Sequence, residues 1–128
     1  MTKPILLDTD VLVDYLRGDE RALAYIKENA THIVLSAIGV AELYAGAKGE
    51  TELSDLDEFV SLFPVLPVSR QIAKVGGLYR QEFSGSHGVA LADALVAATA
   101  EIHGAHLKTF NVKHFPMLKG LKPPYRKS

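Results

Sequence analysis

Residues 5–10 read ILLDTD, an apolar run that ends abruptly in two carboxylates, Asp8 and Asp10. The helix-like segment VLVDYLRG follows at once at 11–18, and this succession is typical of a buried parallel strand that leads into a helix. In an open α/β sheet, ligands bind in the crevice beyond the carboxyl ends of the strands. The pattern therefore predicts that Asp8 ends the first strand and faces a binding site.

Segments with strand character alternate with helical segments along the rest of the chain. Apolar runs at 32–37, 64–68 and 105–110 predict three further strands, and the prolines of the second place it at a sheet edge. The predicted helices are a short one capped by Asp10 and ended by Gly18, then 20–30, 38–48, 50–63, 70–83 and 89–104. The glycines and serines of SGSHG at 84–88 predict a loop. This alternation predicts a three-layer α/β/α sandwich with a mainly parallel central sheet.

Length and composition limit the class of protein. A chain of 128 residues with 48% hydrophobic content predicts a single domain, 1–128, with a proper core. The absence of cysteine excludes disulfides and thiolate metal sites. No apolar segment is long enough to span a membrane, and charges interrupt the first residues, so we expect a cytoplasmic protein.

The formal net charge of -1 gives no general sign of nucleic-acid binding, but the charges are unevenly distributed. Residues 50–58 hold five acids and no base, on the polar face of a predicted helix. The segment from Glu101 to the end holds six cations and one acid. These cations are Lys108, Lys113, Lys119, Lys122, Arg126 and Lys127. They form a basic C-terminal stretch that could contact phosphates.

Two further acids stand alone in uncharged runs. Glu42 is the only formally charged side chain from 33 to 47, and Asp93 is the only one from 84 to 100. Helical spacing places both against small or apolar neighbours, where a lone carboxylate costs several kcal/mol unless a cation compensates it. Each alone has a structural explanation, since Asp93 could cap a helix starting at Ala94 and Glu42 could pair with an arginine. Together with Asp8, they predict a carboxylate cluster at one sheet edge.

The chemistry of such a cluster follows from its ligands. Oxygen-only ligands suit Mg²⁺ or Mn²⁺, which keep several waters for contacts with phosphate oxygens, and this favours phosphodiester chemistry. The histidines at 32, 87, 103, 106 and 114 lack the paired spacing of a zinc site and are interpreted as surface or core residues. His87 and His114 are the two that could meet a phosphate.

Four motifs in succession carry a family resemblance. The segments ILLDTDVLVDYLRG, LSAIGVAELYAGA, LADALVAATAEIHG and LKTFNVKHF resemble the motifs of PIN-domain ribonucleases, specifically the VapC-type toxins of prokaryotic toxin–antitoxin pairs. The resemblance implies that Asp8, Glu42 and Asp93 are acidic metal ligands. It also implies that Thr9 and Ser36 are hydroxyl residues near the site. Asn111 stands where the family carries Asp or Asn, so the resemblance makes it a candidate catalytic residue.

The chain departs from that family pattern at two positions. Asp10 replaces the more usual Asn or Ser, and Phe110 occupies a place often held by Arg. The resemblance further implies an Mg²⁺- or Mn²⁺-dependent endoribonuclease, commonly a homodimer, with an antitoxin whose C-terminal segment lies across the site. The basic C-terminal stretch would then contact either RNA or the antitoxin's acids.

Other classes of protein remain as alternatives. The segment DTDV at 8–11 fits the nucleophile motif of haloacid-dehalogenase-like phosphotransferases, in which Asp8 would be the nucleophile. That chemistry needs a late adjacent acidic pair, which this chain lacks. A receiver-like signalling module is suggested by length, by Asp8 with Asp10 near the start and by Lys108. Its acceptor should end a central strand, whereas Asp55 and Asp57 lie on a predicted amphipathic helix. A purely structural interaction domain leaves the isolated acids unexplained, so the nuclease is favoured.

Overall fold

The computed structural model of the protein describes residues 3–127. The elements in chain order are β1 (Ile5–Leu7), α1 (Thr9–Leu16), α2 (Glu20–Asn29), β2 (Ile33–Ser36), α3 (Ala37–Ala45), α4 (Gly49–Val60), β3 (Val65–Leu66), α5 (Arg70–His87), α6 (Leu91–Ile102) and β4 (His106–Lys108). Short 3₁₀ turns lie at Ala30–His32 and Val112–His114. Across this range, no helix has both the length and the apolar character needed to cross a bilayer.

The strands form a parallel sheet in the order β3-β2-β1-β4. Strand β1 therefore lies in the interior, with Leu6 opposite Val34 of β2 and Leu107 of β4. Strand β3 lies at one edge, as its prolines predict. This topology brings the carboxyl ends of β1 and β4 together, with Leu7 opposite Lys108, although these residues are 101 positions apart in the sequence.

Helices cover both faces of the sheet. Leu7 and Leu35 point to one face, and Leu6 and Leu107 point to the other, because successive side chains of a strand alternate. The first face packs against apolar residues of α1 to α4, which are Val11, Leu12, Ile26, Leu43, Leu56 and Phe59. The second packs against Phe115 and against Val96, Ala97 and Ala100 of α6. The three-layer α/β/α sandwich is confirmed.

The first helix begins earlier than its sequence predicts. Asp8 is the N-cap of α1, with extended backbone, and its side chain accepts a hydrogen bond from the Thr9 N–H. The prediction that Asp10 caps this helix is wrong, because Asp10 lies in the first turn. Helix α6 likewise begins at Leu91, so Asp93 also lies in a first turn and does not cap a helix at Ala94.

The predicted loop at 84–88 is helical instead. Helix α5 continues to His87, and the left-handed residue Gly88, with φ of 61°, ends it by donating its N–H to the Ser84 carbonyl at 3.0 Å. Phe83 and His87 stack edge to face, with centroids 5.8 Å apart, along the last turn. Gly85 inside the helix lowers its stability by only about 1 kcal/mol relative to alanine. The contact between the Phe83 and His87 rings opposes this loss.

Helices α5 and α6 contact each other closely at Gly76. A Cβ at this position would lie 2.6 Å from Leu95 Cδ2 and 3.1 Å from Leu95 Cα. We expect Gly76→Ala to lower the free energy of unfolding by about 1–3 kcal/mol through this clash. Gly77→Ala is the matched control, since nothing lies within 4 Å of its Cβ and helix propensity should make it stabilising. Urea titrations that give both variants the same change would contradict the close packing.

Candidate active site

Asp8 stands at the carboxyl edge of the sheet, as the sequence predicts. Its backbone N–H donates to the Lys108 carbonyl of β4 at 3.0 Å, which extends the β1–β4 pairing by one residue. The residue is only 8% exposed. Its carboxylate accepts hydrogen bonds from the Thr9 N–H at 2.9 Å and from Thr109 Oγ1 at 2.8 Å. The first predicted site residue is therefore buried and held rigidly from two elements.

The surroundings of Asp8 oppose its negative charge. Burial raises the pKa of Asp8 from 3.8 to about 6, and the neighbouring carboxylates Asp10 and Asp93 add to the rise. The hydrogen bonds from Thr109 and Thr9 act in the opposite direction but do not outweigh burial. A carboxylate in this state is stabilised in its charged form by a bound cation.

Asp10 belongs to the same cluster, although it was predicted as a helix cap and not as one of the metal ligands. Its Oδ2 accepts hydrogen bonds from the Phe110 N–H at 2.8 Å and from Asn111 Nδ2 at 3.2 Å. Its Oδ1 is buried and, alone among buried side-chain N and O atoms of residues 3–127, has no hydrogen-bond partner. A buried carboxylate oxygen without a donor is costly, and a cation ligand is one way to satisfy it.

Thr109 organises the two aspartates and was missed from the sequence. It is completely buried, and its Oγ1 lies 2.8 Å from Asp8 Oδ2 and 3.3 Å from Asp10 Oδ2. The same oxygen accepts from the Asn111 N–H at 3.0 Å. Because a hydroxyl has one proton, the shorter bond to Asp8 is the main one. The available signal was a polar residue directly after the last strand, at the same sheet edge as Asp8.

Asp93 is half-buried and lies near the other acids. Its Oδ2 is 3.5 Å from His114 Nδ1. Burial raises the pKa of Asp93, His114 lowers it, and Glu42 and Asp10 raise it further through repulsion. The structure therefore brings Asp93 within electrostatic range of these two acids and places His114, a histidine singled out from the sequence, at the cluster.

Glu42 differs from the expectation in its surroundings. It is an exposed residue of α3, and its Oε1 accepts a hydrogen bond from Thr9 Oγ1 at 2.8 Å. The prediction that Glu42 points toward apolar neighbours is wrong, because this face of α3 borders an open groove. The groove has a volume of about 490 Å³ between α1, α3 and α4, and it is lined by Thr9 and Glu42 and also by Arg17 and Lys48.

The two other predicted polar positions have defined structural partners. Ser36 Oγ accepts from the Gly39 N–H at 2.8 Å and so caps α3. A Cβ at Gly39 would lie 3.3 Å from Ser36 Oγ and 3.6 Å from Thr9 Oγ1, so this glycine leaves room for both hydroxyls. Asn111 is exposed, and its amide bonds to Asp10 rather than to Asp8.

The basic C-terminal stretch divides between two places. A smaller groove of about 130 Å³ beside β4 is lined by Lys108, Lys119 and Lys122. The backbones of Lys108 and Lys122 also form an isolated parallel β-bridge there. Lys127 instead reaches α1 and lies 3.1 Å from Asp14. Within the first group, the Lys108 backbone carbonyl accepts the hydrogen bond from the Asp8 N–H, and the role of these lysines in RNA or antitoxin contact stays a prediction.

The donor set suits a hard divalent cation, because it consists of carboxylates that lie just after β1 and on α1, α3 and α6, and it includes the partnerless Asp10 Oδ1. As they stand, no three Asp, Glu or His side chains within residues 3–127 are placed to hold a metal ion together. Burial, with a smaller contribution from the neighbouring carboxylates, raises the pKa values of Asp8 and Asp93, and a bound cation would offset both effects. The residues therefore fit such a cation, and they would have to close around it.

The fold and site together define an α/β/α domain with a carboxylate site at the carboxyl edge of its sheet. A family model described as the PIN domain matches residues 5–117. The chain belongs to the PIN-domain family. It is 41% identical to ribonuclease VapC19 of Mycobacterium tuberculosis over 124 residues, which covers 94% of this chain and 98% of the relative.

Two further relatives agree with this assignment. Ribonuclease VapC10 of Mycobacterium tuberculosis is 35% identical over 124 residues, covering 94% of this chain and 92% of VapC10. A chain of a toxin–antitoxin complex from Klebsiella pneumoniae superposes with a TM-score of 0.82 at 29% identity, covering 96% of this chain and 99% of that chain. The family assignment favours the nuclease over the phosphotransferase and the receiver-like alternatives.

Proposed function

We propose that this protein is a metal-dependent endoribonuclease and the toxin of a prokaryotic toxin–antitoxin pair. The observation that carries the proposal is the buried Asp8 beside the partly buried Asp10, whose buried Oδ1 has no hydrogen-bond partner, with Asp93 nearby at the sheet edge. Family membership and the ribonuclease relatives support it. Mg²⁺ or Mn²⁺ is the proposed cofactor, because the cluster offers only oxygen ligands.

The site residues have two roles: some would bind the metal ion, and others orient the Asp8 carboxylate. Asp8, Glu42 and Asp93 are the proposed ligands, and Asp10 Oδ1 is a further free donor oxygen. When bound, the cation lowers the pKa of a water and neutralises charge in the transition state of phosphodiester hydrolysis. Thr109 and Thr9 fix the Asp8 carboxylate in one orientation, so little reorganisation is needed at the moment of reaction.

The cognate antitoxin is the second proposed partner. The groove between α1, α3 and α4 starts at Thr9 and Glu42, so a segment lying in it would reach the acidic cluster. The similar chain from Klebsiella pneumoniae comes from a toxin–antitoxin complex, which supports this partner class. A homodimer is proposed on the family resemblance.

RNA cleavage tests the proposal directly. We expect the purified protein to cleave single-stranded RNA in Mg²⁺ or Mn²⁺ and to lose this activity in EDTA, because uncompensated carboxylates neither activate water nor hold a phosphate. Excess Mg²⁺ added after EDTA should restore cleavage, which separates cofactor removal from denaturation. Equal cleavage with and without the chelator would overturn the metal assignment.

Asn111 gives a graded test of site charge. Its amide lies 3.2 Å from Asp10 Oδ2, so Asn111→Asp would add a carboxylate beside the cluster. Mg²⁺ and Mn²⁺ affinity rises with the number of carboxylates, and we expect Asn111→Asp to bind Mn²⁺ more tightly by calorimetry. Asp93→Asn is the opposite control and should bind more weakly. Unchanged affinity in Asn111→Asp, beside a large loss in Asp93→Asn, would place Asn111 outside the site.

A further inference from the structure

The end of the chain is bound to the first two helices. Tyr125 Oη donates to Asp14 Oδ2 at 3.0 Å, and Lys127 Nζ lies 3.1 Å from the same oxygen. Arg21 Nη1 donates to the Arg126 carbonyl at 3.0 Å, and its guanidinium carbon lies 5.8 Å from the centre of the Tyr125 ring. Terminal residues are usually mobile unless tied down. We call Tyr125, Arg126 and Lys127 the C-terminal clasp.

The clasp also contacts Phe110. The Tyr125 and Phe110 rings meet edge to face with centroids 5.0 Å apart, and Lys127 Nζ lies 4.1 Å from the centre of the Phe110 ring. Edge-to-face ring pairs and cation–π contacts of this kind are attractive. The Phe110 side chain is therefore held from one side by the last residues of the chain.

The backbone of Phe110 faces the acidic cluster. Its N–H makes the 2.8 Å hydrogen bond to Asp10 Oδ2, the shortest contact of that carboxylate. Asp10 and Asp14 are one helical turn apart on α1, so they lie on the same side of the helix. Asp10 thus binds the 110 segment directly, while Asp14 binds it through Tyr125 and Lys127, which closes a ring of contacts.

From this ring of contacts we propose that Tyr125 and Lys127 are positioning residues for Asp10. The C-terminal clasp holds Phe110 against α1. The Phe110 N–H then orients the Asp10 carboxylate so that its Oδ1 stays available as a ligand. The proposal rests on the proposed function, because Asp10 Oδ1 would be a ligand of the metal ion. Burial and the bond to Asp14 raise the pKa of Tyr125, so its hydroxyl remains a donor at neutral pH.

The first test needs no metal. Tyr125→Phe/Lys127→Met removes both bonds to Asp14 while it keeps the ring and the aliphatic stem, so we expect the variant to fold. Amide hydrogen exchange of Phe110 should then speed up in the metal-free protein, because its N–H is less firmly held against Asp10. Tyr44→Phe is the matched control, since it removes another tyrosine–aspartate hydrogen bond, to Asp57. Unchanged exchange at Phe110 in the double variant would overturn the proposal.

The second test measures Mn²⁺ binding by calorimetry. Residues bonded directly to a ligand typically change metal affinity by about 10- to 100-fold, so for the more remote clasp we expect a weakening of roughly three- to tenfold. The loss of cleavage rate should be recovered at saturating Mn²⁺, because the expected defect is in metal affinity. In an Asp10→Asn background the double variant should have no further effect.

Three results distinguish a failure of the clasp proposal from a failure of the proposed function. A parent protein that binds Mn²⁺, beside a double variant of equal affinity, contradicts the clasp alone. An equal weakening with and without Asp10 would also overturn it, because the clasp would then act by another route. A parent protein that neither binds Mn²⁺ nor cleaves RNA contradicts the proposed function itself, whatever the exchange at Phe110.

Discussion

Replacing Asp8 or Asp93 by asparagine is expected to lower RNA cleavage by about a thousandfold, the largest effect predicted for this protein. Each change removes one negative charge from the proposed metal site but keeps the shape of the side chain. Initial rates on one RNA oligonucleotide at fixed Mg²⁺ measure it. Glu101→Gln, an exposed acid at the far end of α6, is the matched control and should cleave like the parent.

The structure also predicts an order among the acids. Asp8 is buried, and its carboxylate accepts hydrogen bonds from two donors. Glu42 is exposed, and its carboxylate accepts a hydrogen bond from the Thr9 hydroxyl. A flexible, exposed ligand is replaced more easily by water, so Glu42→Gln should lose less activity than Asp8→Asn. Parent-like cleavage by Asp8→Asn would show that this carboxylate is not part of the reaction.

Asp8→Asn is also expected to make the metal-free protein more stable at neutral pH, by up to about 3 kcal/mol. The pKa of Asp8 is raised from 3.8 to about 6 in the folded state, chiefly by burial. The folded state therefore holds this proton more tightly than the unfolded state does. Ionising Asp8 costs nothing below pH 3.8, costs progressively more up to about pH 6, and costs its full amount above that.

Urea unfolding of the metal-free protein at pH 7.5 and at pH 4 measures this effect. The advantage of Asp8→Asn should be present at pH 7.5 and nearly absent at pH 4, since the parent carboxyl is then protonated. Asp93→Asn should gain less, because Asp93 is only half-buried. A destabilised Asp8→Asn at pH 7.5 would mean that the hydrogen bonds from Thr109 and Thr9 outweigh burial.

The same substitution, Asp8→Asn, is thus expected to lower RNA cleavage and to raise the stability of the metal-free protein. A charge buried without compensation reduces stability, while the same charge is needed to bind a cation. A variant that is more stable and inactive would thus identify Asp8 as a residue kept for function. Loss of both stability and activity would instead indicate a structural role.

The sequence by itself determined the alternation of strands and helices and therefore the three-layer sandwich. These features depend on hydrophobic periodicity within short segments, which any one segment displays alone. The same local pattern placed Asp8 at the end of β1, and the isolated position of Asp93 among uncharged residues signalled its partly buried setting. The parallel topology followed because strand–helix alternation leaves few other arrangements.

Only the tertiary structure decided which side chains complete the cluster. Thr109 binds Asp8 across 101 positions of sequence, and Phe110 binds Asp10 across 100, because β4 inserts beside β1. Tyr125 likewise reaches Asp14 across 111 positions. No local pattern encodes such pairs, since each depends on which strand neighbours which and on where the chain end packs. Glu42 was misjudged for the same reason: whether a helix face is covered depends on the elements around it.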